Sequence, residues 1–391
     1  MDQVRGLALA SGSTPMLGQE FHPRSNALNV WRLILATGVI VGHSWPLTGH
    51  RGGVTFAPAS QLLEYIWVDG FFAISGFLIT RSWFRHPQIR DYFVARGLRI
   101  LPGLWACLAV IAFIIAPVSV AIQGGSAAKL LFSRAPIEFV LANSAVVQLK
   151  QDVGGTPRGI PWPGQWDGPL WTLAFEVACY VAVAALGITG LLRRRWLIPA
   201  LFVLALFWST RLPPLSTLNA AITTPGAKVD LATVAAVIQG QAARLAIMFL
   251  AGALLYQLRN MIPARWSLVA VSVGIVVAAS PLSDYRLVAA IPLAYAIIVS
   301  GALIRKKHLR LRNDLSYGMY IYAWPMQQFL VVCGLAFLHP MVFAVVAAVA
   351  TLPLAAFSWF LVEKPALSLK SSFKRASIAP TQEATGTFAD G

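Results

Sequence analysis

Charged side chains are scarce in this sequence of 391 residues. Asp, Glu, Lys and Arg make up 12% of the chain, whereas about 25% is usual for a soluble globular protein. Hydrophobic residues make up 57%, and the mean hydropathy is +0.68. Such a composition excludes a soluble enzyme and a disordered or collagen-like chain, and it indicates a protein embedded in a lipid bilayer.

Cysteine is also scarce. The three cysteines, Cys107, Cys179 and Cys333, all fall inside apolar runs. Their odd number and their spacing exclude a disulfide framework and match no metal-binding pattern. We therefore expect neither a metal site nor a tightly bound cofactor.

Long apolar runs, by contrast, are abundant and predict an all-α, polytopic integral membrane protein with about ten transmembrane helices. Residues 1–26 contain only a brief apolar stretch, so we expect no cleavable signal peptide, and the first helix would act as an uncleaved anchor. The predicted spans are 27–47, 66–84, 98–121, 168–190, 196–211, 241–258, 265–282, 286–304, 315–337 and 341–363.

The formal net charge is +16, and the distribution of the basic residues among the loops predicts the orientation of the spans. On a soluble chain it would suggest a nucleic-acid partner, but cytoplasmic loops of membrane proteins are themselves rich in Lys and Arg. With the N-terminus inside, and with basic residues near span ends counted in the adjacent loop, 21 of the 31 basic residues fall in inside segments and 8 in outside segments. Both termini are therefore predicted to be cytoplasmic, and no nucleic-acid partner is expected.

The chain is predicted to contain one membrane domain, residues 27–365. A cytoplasmic segment, 1–26, precedes it, and a polar, disordered cytoplasmic tail, 366–391, follows it. The loop 122–167 is the largest segment outside the predicted spans. Its run Pro157–Gly168 is rich in proline and glycine, which predicts an irregular loop.

Five ionisable residues within or near the ends of the predicted spans are candidate functional residues, because a charge at membrane depth costs roughly 2.5–3.5 kcal/mol or more. They are Arg32, His43, Asp69, Glu176 and Arg244. Arg32 and His43 are eleven residues apart, which places them on one helix face about 16 Å apart along the axis. The other three are predicted to share the outer half of the bilayer with His43.

A histidine near a carboxylate can act as a general base. Each residue also has a simpler interpretation: His43 as an interfacial or hydrogen-bonded residue, and Asp69 and Arg244 as side chains that snorkel to the membrane surface. Glu176 is harder to explain without a partner or a polar cavity. These residues predict a proton-handling site, in either an enzyme or a proton-coupled transporter.

Six segments, in order over residues 29–365, carry a resemblance to the membrane acyltransferase-3 family. The first two resemble its Arg-x10-His signature and its FF-x-x-SGFLI helix, and the next two its R-x-x-R-I-x-P and LW-[ST]-L-x-x-E-x-x-x-Y segments. The last two resemble its SY-x-x-Y and EKP motifs. The six segments are Asn29–Arg32 with His43-Ser44, Phe71–Ile79, Arg96–Pro102, Leu170–Glu176 with Tyr180, Ser316–Tyr322 with Pro325, and Glu363–Pro365.

The sequence departs from the family pattern in two places. Asn29 stands where many members have an acid, which would weaken a carboxylate contact to an arginine. Ala323 stands where many members have a histidine, which argues against a second catalytic histidine.

The resemblance implies that the chain is an O-acyltransferase of a bacterial inner (plasma) membrane. It would move an acyl group, expected to be acetyl, from a cytoplasmic acyl-CoA co-substrate to a sugar hydroxyl of a surface polysaccharide or glycolipid. Its partners would be the lipid bilayer, the acyl-CoA and the glycan acceptor.

The resemblance also implies residue roles. His43 would be the catalytic base or a transient acyl carrier, and Glu176 would orient it or hold the acceptor. Arg32, Arg96 and Arg99 would bind the coenzyme A phosphates, although Arg96 and Arg99 also suit a basic inside loop. The candidate substrate-binding residues are Asp69, Arg244, Trp171, Tyr317 and Tyr320, with Trp324 also considered. The aromatic residues among them are equally typical of an interfacial belt.

Two other functions fit the composition. A transporter or exporter of a glycan or acyl-donor precursor would use the buried charges as a proton relay. The sequence shows no inverted repeat and no paired Gly/Pro interruption of its spans, which argues against it. A glycan-binding membrane scaffold without chemistry is the third possibility.

Overall fold

The computed structural model describes residues 15–23, 25–50, 57–214, 217–219, 230–304, 306, 309, 311 and 313–369. The side chains of residues 57–61 are not described. The segment 1–14, most of the basic cluster Arg305–Arg312 and the tail beyond residue 369 lie outside this part. The predictions made for them are therefore untested.

Helices dominate the described residues, which contain no β-strand beyond isolated bridges. Every predicted span falls on a helix. The helices are α1 (Leu17–Glu20), α2 (Leu28–Leu47), α3 (Ala57–Arg85), α4 (Ile89–Val110), α5 (Ala116–Ile122), α6 (Ala127–Leu131), α7 (Ala135–Asn143), α8 (Trp171–Ile188), α9 (Leu197–Arg211), α10 (Leu231–Gln257), α11 (Trp266–Ala279), α12 (Arg286–Leu303), α13 (Ser316–Val332) and α14 (Pro340–Ser358).

Two π-helical turns continue α4 and α14. Ile111–Ile115 joins α4 to α5, and Trp359–Glu363 extends α14. Such turns shift the side chains that follow them around the helix axis. The second one ends on Glu363, the first residue of the EKP motif, which is buried.

Six helical segments of the described residues are long and apolar enough to cross a membrane, which confirms the expected membrane-protein character. Of the other predicted spans, 196–211 and 265–282 fall on shorter apolar helices, and 27–47 and 315–337 on α2 and α13. The count of ten and the cytoplasmic termini stay predictions. The six are Leu62–Arg85, Ile89–Ile122, Trp171–Ile188, Leu231–Gln257, Arg286–Leu303 and Pro340–Leu369.

The loop 122–167 is more ordered than the sequence predicted. It contains the short helices α6 and α7, which the proline and glycine content concealed. Ser126 caps α6 by accepting a hydrogen bond from the Lys129 N–H at 3.2 Å. The run Pro157–Gly168 is irregular, as predicted.

The described residues form two compact units. The first draws on Met1–Gly42, Gly52–Arg81 and Phe175–Asp314, and the second on His43–Arg51, Ser82–Ala174 and Leu315–Gly391. In the first unit, α10 packs against α9 and α12, and α11 packs against α12. In the second unit, α13 packs against α14 and α4.

Two glycines bring the backbones of α3 and α10 into direct contact in the first unit. A Cβ atom at Gly76 would collide with the backbone of Phe249, and one at Gly252 would collide with the backbone of Ala73. Small residues allow this approach, which supports helix association where no water drives it. The SGF segment of α3 is thus held directly against α10.

Candidate active site

His43 lies in an aromatic environment within the second unit. Its ring meets the indole of Trp324 edge to face, with centroids 4.8 Å apart, and Trp324 meets Trp162 at 5.9 Å. His43 is half-buried, and its buried Nδ1 atom has no hydrogen-bond partner among the described residues. An imidazole nitrogen without a hydrogen-bond partner can accept a proton from a substrate.

Helix α13 holds the irregular loop in place beside Trp324. The Gln165 carbonyl oxygen accepts hydrogen bonds from Trp324 Nε1 at 3.1 Å and from Gln328 Nε2 at 2.8 Å. A Cβ atom at Gly168 would lie 2.8 Å from the Trp324 ring, so this position requires glycine. Gln327, one turn after Trp324 on α13, donates through Nε2 to Ser44 Oγ at 3.0 Å. The loop and the end of α2 that carries His43 are therefore fixed by one helix.

Asp167 is a candidate residue that the sequence analysis missed. Its side chain is 1% exposed, and neither carboxylate oxygen has a hydrogen-bond partner in the described part of the chain. Burial raises its pKa well above the ordinary value for aspartate, because the charged form is poorly solvated. The signal was an acidic residue between Trp166 and Gly168, in a loop predicted to be irregular and to lie outside the spans.

Asp167→Asn is expected to raise the midpoint of thermal unfolding at neutral pH. A carboxyl group whose pKa is raised by folding destabilises the protein above the ordinary pKa of about 3.9, and the amide removes that cost. The gain should shrink as the pH falls through the raised pKa and vanish below the ordinary one. Unfolding midpoints of both proteins across this pH range give the measurement.

Asp152→Asn is the matched control in the same loop, because Asp152 Oδ1 accepts the Gly155 N–H at 2.6 Å. It should show no such pH-dependent gain. Equal midpoints for wild-type protein and Asp167→Asn at every pH would show that Asp167 carries no burial cost.

The predicted aromatic residues of the second unit are engaged with the backbone. Tyr320 hydrogen-bonds Thr172 Oγ1 at 2.6 Å and donates to the Pro169 carbonyl at 3.3 Å. Tyr317 donates to the Ile100 carbonyl at 2.8 Å. The Tyr320 contacts position the start of α8, whereas the Tyr317 contact joins α13 to α4. The predicted role of Trp171, Tyr317 and Tyr320 in binding substrate stays a prediction.

The two arginines of α4 differ in their contacts. Arg96 stacks on the Tyr92 ring at 3.7 Å and donates to the Tyr92 carbonyl at 2.9 Å. Arg99 faces Glu363 at 3.5 Å, and Glu363 in turn accepts from Ser358 at 3.0 Å. Since Glu363 partly neutralises Arg99, Arg96 is the better placed of the two for a phosphate group.

Glu176 lies in the first unit and joins two of the recognised motifs. It accepts a hydrogen bond from Ser75 at 3.2 Å and another from Tyr180, one turn along α8. Ser75 belongs to the SGF segment and Tyr180 to the E-x-x-x-Y segment. The structure thus supplies the partners that the sequence analysis required for a carboxylate at this depth.

Asp69 and Arg244 are buried, which excludes the interpretation that they snorkel to the membrane surface. Asp69 is 0% exposed and Arg244 3% exposed. Their ion pair has a length of 2.9 Å, and Asp69 also pairs with Arg286 at 2.6 Å and accepts from Tyr285. Arg286 is the first residue of the predicted span 286–304 and was not among the sequence candidates, so this buried cluster was only half predicted.

Arg32 pairs with Asp314 at 3.2 Å in the first unit. The substitution of Asn29 for an acid therefore does not leave the arginine without a carboxylate. Asn29 Nδ2 donates instead to the Leu311 carbonyl at 3.0 Å. The acid at position 314 was not recognised from the sequence because it is 282 residues away.

The predicted residues thus fall into separate groups. His43, Arg96 and Arg99 lie in the second unit, and Arg32, Asp69, Glu176 and Arg244 lie in the first. Their convergence on one site stays a prediction.

Comparison with known proteins places these motifs in a family context. The acyltransferase domain of the acyltransferase-3 type matches residues 25–360. Nodulation protein 10 of Rhizobium leguminosarum bv. viciae is 26% identical over 381 residues, which cover 90% of this chain and 97% of that protein. The O-acetyl transferase of Shigella phage Sf6 is 26% identical over 367 residues, which cover 89% and 98%. No solved structure matches the chain.

Proposed function

Because the chain belongs to the acyltransferase-3 family, we propose that it moves an acyl group from a cytoplasmic acyl-CoA to a sugar hydroxyl of a surface polysaccharide or glycolipid. O-acyl transfer is the activity of the family, and the phage relative, an O-acetyl transferase, supports acetyl as the group transferred. The six apolar helices support a membrane location, for which we propose the bacterial inner membrane.

The observation that carries this proposal is the buried Nδ1 atom of His43, which has no hydrogen-bond partner among the described residues, in a ring that meets the Trp324 indole. A neutral imidazole nitrogen without a hydrogen-bond partner can take up the proton of an attacking hydroxyl, as a general base does. The aromatic faces of Trp324 and Trp162 suit the apolar face of a sugar ring.

In the proposed reaction, His43 takes the proton of the sugar hydroxyl while the hydroxyl oxygen attacks the thioester carbonyl carbon. A carbon–oxygen bond forms and the carbon–sulfur bond breaks. The coenzyme A thiolate leaves and receives the proton from the imidazolium, so His43 is regenerated. No oxidant, metal or further reactant is needed.

The arginines supply the proposed donor contacts. The phosphates of coenzyme A are anionic, and guanidinium groups bind phosphate oxygens through paired hydrogen bonds. Arg96 and Arg99 lie one turn apart on α4, and Arg32 lies near the start of α2. Their charges favour the anionic half of the donor.

The test is reconstitution of the full chain in lipid vesicles with acetyl-CoA labelled in the acetyl group and a surface glycan extract as acceptor. Label bound covalently to the glycan supports the enzyme. Movement of intact glycan or acetyl-CoA across the membrane without transfer would favour the transporter, and binding alone would favour the scaffold.

Glu176→Gln is expected to lower transfer by about tenfold or more. Glutamine retains the shape and can still bond Ser75 and Tyr180, but it lacks the charge that strengthens these hydrogen bonds by roughly 1 kcal/mol or more. The rate of label transfer in the vesicles gives the measurement. Glu138→Gln is the control, since Glu138 is exposed and bonded to Lys150. Wild-type transfer by Glu176→Gln would remove Glu176 from the site.

A further inference from the structure

The first unit also contains a polar cavity, which borders the Asp69 ion-pair cluster at Arg286. Its volume is about 350 Å³, at the small end of the range for ligand pockets, which is about 300–1,000 Å³. Residues at and just after the end of α9, together with residues at and just before the start of α12, form most of its wall, and Tyr65 of α3 forms another part. Its polar lining residues include Ser209, Asp284 and Arg286.

Arg286 brings an unused hydrogen-bond donor to this cavity. Its side chain is 2% exposed. The Nε atom donates to Asp69 at 2.6 Å and the Nη1 atom to Asp284 at 2.8 Å, but Nη2 has no hydrogen-bond partner among the described residues. The guanidinium carbon lies over two aromatic rings, 5.1 Å from the centroid of Tyr65 and 4.7 Å from that of Tyr285. A buried guanidinium nitrogen without a partner carries a desolvation cost, which a bound acceptor oxygen would remove.

Asp284 brings an unused acceptor to the same cavity. A carboxylate offers about four acceptor positions. Three are occupied: Oδ1 accepts the backbone N–H of Arg286 at 3.2 Å and its Nη1 at 2.8 Å, and Oδ2 accepts Ser209 Oγ at 3.0 Å. The side chain is 20% exposed, so it remains accessible to a ligand.

The charges around the cavity balance. Asp69 and Asp284 carry two negative charges, and Arg244 and Arg286 carry two positive ones, all linked by the ion pairs given above. An anion would gain little net attraction here, and it would meet the carboxylate of Asp284. A neutral ligand with adjacent donors and acceptors fits better.

We propose that this cavity binds a neutral sugar residue through two adjacent hydroxyl groups. The oxygen of one hydroxyl accepts from Arg286 Nη2, and the next hydroxyl donates to the Asp284 carboxylate. This inference rests on the proposed function only for the choice of a sugar as ligand. It assigns a binding role to Arg286 and Asp284, neither of which belongs to a recognised motif.

The test uses the full chain in phospholipid nanodiscs, without acyl donor and without sugar-based detergent. The probes are the methyl glycosides of glucose, galactose and mannose, together with glucuronate and inorganic phosphate. Saturation-transfer NMR titrations measure their affinity. At least one neutral glycoside should bind, and Asp284→Asn should weaken it by roughly tenfold, the usual effect of losing a charged hydrogen-bond acceptor.

Asp230→Asn is the matched control, because Asp230 lies in the same unit but caps α10 instead of lining the cavity. It should bind the glycoside like the wild type. Arg286→Lys is a second variant that should also lose affinity, and Asp284→Asn serves alone if that protein does not fold.

Failure of every neutral glycoside to bind, binding of phosphate or glucuronate alone, or unchanged affinity in Asp284→Asn would each overturn the proposal. The binding titration contains no acyl donor, so its result does not depend on whether the protein transfers acyl groups. Equally, transfer by a protein without this binding would leave the proposed function standing.

Discussion

Replacing His43 with alanine is expected to lower acyl transfer by about 10²- to 10⁴-fold, the usual contribution of a general base. The protein should still accumulate and fold, since the Nδ1 atom of His43 makes no hydrogen bond within the described residues and its ring meets Trp324 edge to face. The measurement is the O-acetyl content of the surface glycan in cells, together with label transfer in vesicles.

His50→Ala is the matched control, since His50 lies seven residues further along and is exposed. It should retain transfer. Full acetylation by His43→Ala at normal protein levels would rule out His43 as base and as acyl carrier. A labelled acyl-histidine trapped by acid quenching of the wild-type protein would instead favour the carrier role.

The largest expected effect on stability comes from Asp69→Asn. This change leaves Arg244 and Arg286 buried without their shared carboxylate, and breaking a buried ion pair in this way costs about 3–5 kcal/mol. The free energy of unfolding in mixed micelles gives the measurement, with the midpoint of thermal unfolding as a second readout.

Glu138→Gln is again the control, because its ion pair with Lys150 is exposed and should contribute little. An Asp69→Asn protein as stable as the control would show that the two buried arginines do not depend on this carboxylate.

The helical architecture followed from the sequence because apolar runs in a bilayer must form helices. The helix ends were less predictable. The predicted span 241–258 lies within α10, which begins ten residues earlier at Leu231. Gln239, Gly240 and Gln241 interrupt the apolar pattern and hid this start, although Asp230 caps the helix by accepting the Thr233 N–H at 2.8 Å, a recognisable signal.

The candidate residues were predictable where a single charge interrupts an apolar run, as at His43, Asp69 and Glu176. Their partners were not, because the pairs are far apart in sequence: Ser75 and Glu176 are separated by 101 residues, and Asp69 and Arg286 by 217. Arg286 illustrates the reason. A basic residue at a span end satisfies the orientation pattern, and only the folded chain shows that it is buried against a carboxylate.

The contact of Gly76 with Phe249 and of Gly252 with Ala73 also limits how the first unit can move. With backbone against backbone there is no side-chain layer that could be compressed or sheared, so α3 and α10 cannot slide past each other. Asp69 and Ser75 on one helix and Arg244 on the other must therefore travel together. Any opening that admits a substrate to this unit has to occur by displacement of other helices around this rigid pair.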